Sequence, residues 1–188
     1  MRFVFDEDKA AEAAAHLLTR AGQPMTYFKL IKLLYLADRE ALIRSGYPIT
    51  GDRMVSMPHG PVLSLVLDKV NLGKSPSIAS GLSPWFEYVS EPDGYNVSLK
   101  KAPPRDGALS DFEIELLGEI FDRYGHLDNW ALRDLTHELP EYIDPQGSMV
   151  PIEPEVILHS AGKPDSEIQA IVDDAEAFVS LRRSLSRK

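Results

Sequence analysis

"YFKLIKLLYLADREALIRSG", residues 27–46, is the stretch that decides the fold. Its polar residues Lys29, Lys32, Glu40 and Arg44 fall close together on a helical wheel. Tyr27, Leu30, Ile31, Leu33, Leu34 and Leu36 cover most of the remaining girth. A helix with so broad an apolar surface packs on more than one side. Thr26 stands where an N-cap belongs, and Gly46 stands where a helix stops. The stretch therefore reads as a buried central helix with a narrow solvent-facing stripe.

Upstream, residues 6–20 read as another helix. Asp6 can cap it, acids fill its first turn, alanines favour it, and Gly22 with Pro24 ends it. Downstream come a turn region, "YPITGD", and an extended segment from Arg53 to Met57. "VSMPHGPV" at 55–62 follows. Pro61 lacks an N–H and suits the first position of a helix, and it pushes Gly60 out of helical geometry. Gly60 and Pro61 are thus expected to open a third helix, "VLSLVLDKVNLG", that closes at Gly73. Residues 74–84, rich in Ser, Pro and Gly, are expected to be loop. "WFEYVSEPDGYNVSLKK" looks like a hairpin over residues 85–100, with aromatic and β-branched residues flanking "EPDG". Ser110 and Glu113 form a capping box for a helix to about Tyr124, and Asp128 caps "NWALRDLTHE". A short helix is expected after Pro154 and a last one from about Asp165 to Arg183. The fold class is mainly α: a compact helical domain around a buried central helix, with a small β-hairpin or short antiparallel sheet. Residues 1–145 are expected to form the domain, with 146–188 a helical extension packed on it.

The charge narrows the partners. Twenty-nine acids against 20 Lys and Arg give −9, and nucleic-acid binders are usually basic over the contact face. Nucleic acid is an unlikely partner on this count, and a basic protein partner suits the chain better. Cysteine is absent, so there is no disulfide, thiolate metal site or cysteine nucleophile. No uncharged apolar run is long enough to span a bilayer. The start, "MRFVFDEDKAAEAAAHLL", lacks the pattern of a signal peptide, because Asp6, Glu7 and Asp8 interrupt it. The expected location is the cytoplasm.

Motifs that would carry chemistry fail one by one. His137 in "DLTHELPEY" lacks the second histidine of a zinc-protease helix, since position 141 is Glu141. "GKS" at 73–75 lacks the phosphate-loop glycine, because Asp68 stands in its place. "GLSPW" has Trp85 where a nucleophile elbow needs glycine. No catalytic residue, cofactor or metal ligand is assigned. His59, Gly60, Pro61 and His137 read as structural, although Asp52 or Asp134 could approach His59 in space. Partner-binding candidates are Asp52, Arg53 and His59 in the loop before the turn, and Trp85, Tyr88 and Tyr95 in the hairpin. Exposed loops and rings carry binding more than core helices do.

Three stretches together resemble a known family: "KLIKLLYLADREALIRSGYPITGD", "MPHGPV" and "LLGEIFDRYGHLDNWALRDLTHELPEY". They are similar to the Panacea domain, the SocA-like or GepA-like antitoxin family. That family's form is a buried "KLxKLLY" helix, an aromatic-or-His-Gly-Pro-Val turn, and a late "LSxxTH" helix followed by proline. The resemblance runs over about residues 6–145. His59 takes a place often held by an aromatic residue, and Asp134 replaces a smaller one. The resemblance implies a helical fold with a small β element and a non-enzymatic protein. Its partner would be a cognate toxin, neutralised by direct binding or by delivery to an energy-dependent protease. Two other readings compete with it. One is an enzyme that uses His59 or His137 with an aspartate as general base. The other is a DNA-binding autoregulator that acts through the basic tail "RRSLSRK".

Overall fold

Helix α2, Tyr27–Ser45, runs through the middle of the computed structural model, which describes residues 2–74 and 83–185. Thr26 Oγ1 accepts from Lys29 N, and Gly46 ends the helix with a left-handed φ of 82°. Both termini are thus set by the residues the sequence marks. Helices α1 (Glu7–Ala21), α5 (Asp111–Tyr124), α6 (Asn129–His137) and α7 (Pro154–Ser160) all pack against α2. Five alanines of α1 are fully buried; such small side chains let that helix lie close to its neighbours. The Ser110–Glu113 capping box and the Asp128 cap both form. Of the eight helices among the described residues, the longest is α8, Asp165–Leu185.

The stretch 55–62 departs from expectation. Strands β2 (Met54–Met57) and β3 (Gly60–Leu63) form an antiparallel hairpin, with Met57 opposite Gly60 and Pro58–His59 as the turn. Pro61 therefore lies in a strand and not at a helix start; helix α3 spans Ser64–Gly73. The physical reason is twofold. Strand β3 is an edge of the β3-β2-β5 sheet, where a proline's missing N–H removes no ladder bond. The start of α3 is held from a distance: the Asp52 carboxylate accepts from Leu65 N at 3.0 Å and Val66 N at 2.9 Å. No local residue announces that cap. Strand β5 (Val150–Pro151) completes the sheet on the other side of β2.

The aromatic half of the expected 85–100 hairpin is helical. Trp85–Tyr88 make one turn, α4, and Val89 N donates back to Trp85 O. Trp85, Phe86 and Tyr88 are all buried. A strand would turn Trp85 and Phe86 to opposite faces, whereas a helical turn puts these three rings into one core. The chain does fold back afterwards, with Val89 bridged to Leu99 and Asp93 to Asn96. Strand β4 (Asn96–Val97) pairs with β1 (Met25–Thr26), at the start of α2. Most of the expected 74–84 loop lies outside the described residues.

Candidate functional site

The three stretches that carry the resemblance meet at one point inside the molecule. Lys32, on the supposed solvent stripe of α2, is only 1% exposed, and its Nζ donates to Pro61 O at 2.8 Å. Burial lowers its pKa from 10.5 to about 7. Gly60 crosses directly over this ammonium with φ 91°. A Cβ there would come within 2.7 Å of Thr136 Oγ1, 2.8 Å of Lys32 Nζ and 3.0 Å of His137 Cδ2. Only glycine allows α2, the β2–β3 hairpin and α6 to approach so closely.

His137 closes the junction from α6. Its ring stacks on Tyr142 with centroids 4.3 Å apart, and the Tyr142 hydroxyl donates to Met57 O at 3.2 Å. Its Nε2 is buried without a hydrogen-bond partner among the described residues. Burial pushes its pKa down, and the Arg133 and Lys32 cations push the same way. The imidazole is therefore neutral at neutral pH and acts as a packed plate.

Other polar residues of α2 are internal ties too, while Glu40 and Arg44 pair at the surface. Tyr35 Oη donates to Glu141 Oε1 at 2.9 Å, and Arg39 holds the same carboxylate through Nε at 2.6 Å and Nη2 at 3.3 Å. Burial, and then the Glu141 charge, raise the Tyr35 pKa well above its ordinary value. Lys29 Nζ donates to Gly125 O and Leu127 O, at 2.5 and 2.8 Å, just past the end of α5. Asp38 is buried as well. It accepts from Thr50 N at 3.0 Å and Thr50 Oγ1 at 2.5 Å, yet burial pushes its carboxyl up to about 7.

The partner-binding candidates divide between inside and outside. Asp52, Trp85 and Tyr88 are buried in the chain by itself. Burial raises the Asp52 pKa, against three backbone N–H groups that hold its carboxylate. Arg53, His59 and Tyr95 are exposed, Tyr95 by 74%. His59 occupies the hairpin turn and Arg53 the opposite end of the hairpin. No His–Asp dyad forms at His59: Asp52 caps α3, and Asp134 pairs with Arg133 at 2.7 Å. Among the described residues, no cluster of three His or acidic side chains could hold a metal.

Sequence reasoning missed Trp130, which is 64% exposed on α6. The signal was present: Asp128 caps the helix, so Trp130 falls on the side opposite Leu132, the fully buried residue. Helix α6 also links the two exposed loops. At its start, Thr26 Oγ1 donates to Asn129 Oδ1 at 2.7 Å, while Tyr27 N donates to Tyr95 O at 2.9 Å. The Tyr27 and Tyr95 rings lie 6.1 Å apart. At its end, His137 sits beside Gly60, next to the turn that bears His59. Tyr95, Trp130 and His59 thus succeed one another along one helix of nine residues. The Arg133 guanidinium lies over the Trp130 ring at 5.2 Å.

The family model described as "Antitoxin SocA-like, Panacea domain" matches residues 30–142, more than half of the chain. The match takes in α2 from Leu30 onward, the β2–β3 hairpin, α6 and Glu141. No curated protein and no solved structure matches the chain. Among the described residues, no helix is long and apolar enough to cross a membrane.

Proposed function

The chain belongs to the SocA-like antitoxin family, the Panacea domain, and from that premise we propose that it binds and neutralises a cognate toxin protein. The family match carries this reading. The proposed contact surface is the outer face of α6 with its two flanking loops, centred on Trp130 and reaching Tyr95 and His59. Exposed tryptophan and tyrosine are the residues most enriched among interface anchors. A ring held from below by a guanidinium loses little freedom on docking, so binding such an anchor is less opposed by entropy. The acidic balance of −9 favours a basic toxin by speeding encounter.

Neutralisation by contact requires that the bound toxin lose access to its own target. Delivery to an energy-dependent protease would act on the same complex. The test is co-expression with the neighbouring reading frame. That frame alone should arrest growth, and the chain should restore it. Trp130→Ala and Tyr95→Ala should each weaken the rescue while leaving the antitoxin folded. A neighbour that is harmless alone would remove the premise for toxin binding. Full rescue by the double variant would move the contact surface elsewhere.

A further inference from the structure

Lys32 is buried with no carboxylate beside it. Among the described residues its Nζ meets Pro61 O at 2.8 Å and lies 5.4 Å from the Phe28 ring centroid. Gly60 of β3 and Thr136 and His137 of α6 close over it. The point that a Gly60 Cβ would occupy is 2.8 Å from Lys32 Nζ and 3.0 Å from His137 Cδ2. Lys32, Gly60, Pro61 and Thr136 are buried, whereas His137 is half-buried. The imidazole is therefore the plate between this ammonium and solvent. It is held loosely for a core group. Its Nε2 is buried without a hydrogen-bond partner among the described residues, and the ring rests on its stack with Tyr142.

We propose that the His137 ring is an acid-operated gate over Lys32: once protonated, it leaves Tyr142 for solvent and admits water to the ammonium. The surrounding charges favour that movement. Burial opposes the imidazolium most, followed by Arg133 on α6 and Lys32 on α2; Asp134 on α6 and Asp144 in the loop after it favour the charged ring less strongly. The hairpin sets Gly60 against the ring, and its own His59 is exposed in the turn. A charged ring would be attracted to the face of Tyr142. Its buried N–H would still lack an acceptor, beside a second buried cation, and that cost is the larger one. The closed ring titrates below 6.5, the ordinary value that it regains when open. The open form thus binds more protons, and opening rises as pH falls through 6.5, by up to about tenfold per pH unit. Lys32, with a pKa of about 7, is already charged there and pushes the same way. Gly60 follows His59, so the gate adjoins the turn at one end of the proposed contact surface.

Magnetic resonance on the full chain, with labelled histidine and lysine and without toxin, tests this directly. The ring-current shift that Tyr142 imposes on His137 should vanish as His137 titrates. In the same pH range the Lys32 ammonium should begin to exchange its protons rapidly with water. His137→Ala removes the plate, so Lys32 should titrate near its ordinary 10.5 in place of about 7. His137→Phe keeps a plate that takes no proton, so Lys32 should stay near 7 and remain protected in acid. A His137 that takes its proton with the ring-current shift intact is charged in place, and overturns the gate. A Lys32 that still titrates near 7 in a folded His137→Ala chain overturns it too, because the ring is then not the seal. Should His137→Ala fail to fold, the titration of the parent chain decides by itself.

Discussion

The two sides of α6 invert the usual distribution. Towards the hairpin it brings its own Thr136 and His137 beside Lys32 and Gly60, where a core normally holds hydrocarbon, and its outer side shows a tryptophan to water. Two of these polar groups are held by fixed acceptors, Pro61 O for Lys32 and Leu132 O for Thr136 at 2.9 Å, while His137 is held by its ring stack on Tyr142. The outer tryptophan has the Arg133 guanidinium over its ring. Buried polar groups with fixed partners specify one arrangement of the elements, because any other arrangement leaves them unsatisfied. An exposed indole specifies nothing about the fold and remains available to a partner. The inner side should therefore respond to substitution with stability, and the outer side with binding.

The largest effect on that contrast is expected at Glu141. It has no exposed side-chain surface and serves both Tyr35 and Arg39. Glu141→Ala leaves a nearly buried guanidinium and a phenol without their acceptor. Breaking such a pair from one side costs about 3–5 kcal/mol. Urea denaturation should show the midpoint fall accordingly, and a loss under 1 kcal/mol would mean that the tie is slack. Gly60→Ala comes next. The new methyl group meets three side chains within 3.0 Å at a φ of 91°. Left-handed strain and overpacking together predict a loss of roughly 2–4 kcal/mol. An alanine variant as stable as the parent would mean that the junction can open without penalty.

A smaller effect, with a distinctive pH signature, is expected at Lys32. Its folded pKa of about 7 lies below the ordinary 10.5. Between those values the unfolded chain binds more protons, so folding stability rises with pH from about 7 to 10.5. Asp38 works in the opposite sense. Its folded pKa of about 7 lies above 3.8, so its contribution is full below 3.8 and is lost as pH rises to about 7. Lys32→Met should flatten the alkaline rise and leave the acid-side loss in place; Asp38→Asn should do the reverse. Urea midpoints at several pH values separate the two. An alkaline rise that persists in Lys32→Met would assign it to another group.

Helix limits were legible because their signals are local. Asp6, Thr26, Ser110 and Asp128 cap where they stand, and Gly22 and Gly46 stop the helices they follow. Misreadings arose where a distant residue decides. Pro61 reads as a helix start until Asp52 is seen to hold the start of α3. Lys32 reads as a solvent residue, because its acceptor, Pro61 O, is a backbone atom 29 positions away that no composition reveals. Trp85 and Tyr88 read as hairpin strand residues because β propensity records ring shape and not where the ring is buried. The family resemblance rested on the residues of the junction. The proposed binding face has no such motif, and of its exposed rings the sequence singles out Tyr95 and not Trp130.

The smallest stability change belongs to the outer side. Trp130 is 64% exposed, with Arg133 over its ring, so Trp130→Ala should alter unfolding free energy by no more than about 0.5 kcal/mol. The same substitution should weaken toxin affinity by at least tenfold if the indole is an anchor, since anchors contribute about 2 kcal/mol or more. Titration calorimetry against purified toxin, with a thermal melt of the same samples, measures both quantities together. Glu141→Ala and Trp130→Ala would then mark opposite corners of one plot, the first low in stability and the second low in affinity. If both losses fell together at Trp130, the inner and outer sides of α6 would be one cooperative unit, and fold and binding could not be assigned to separate faces.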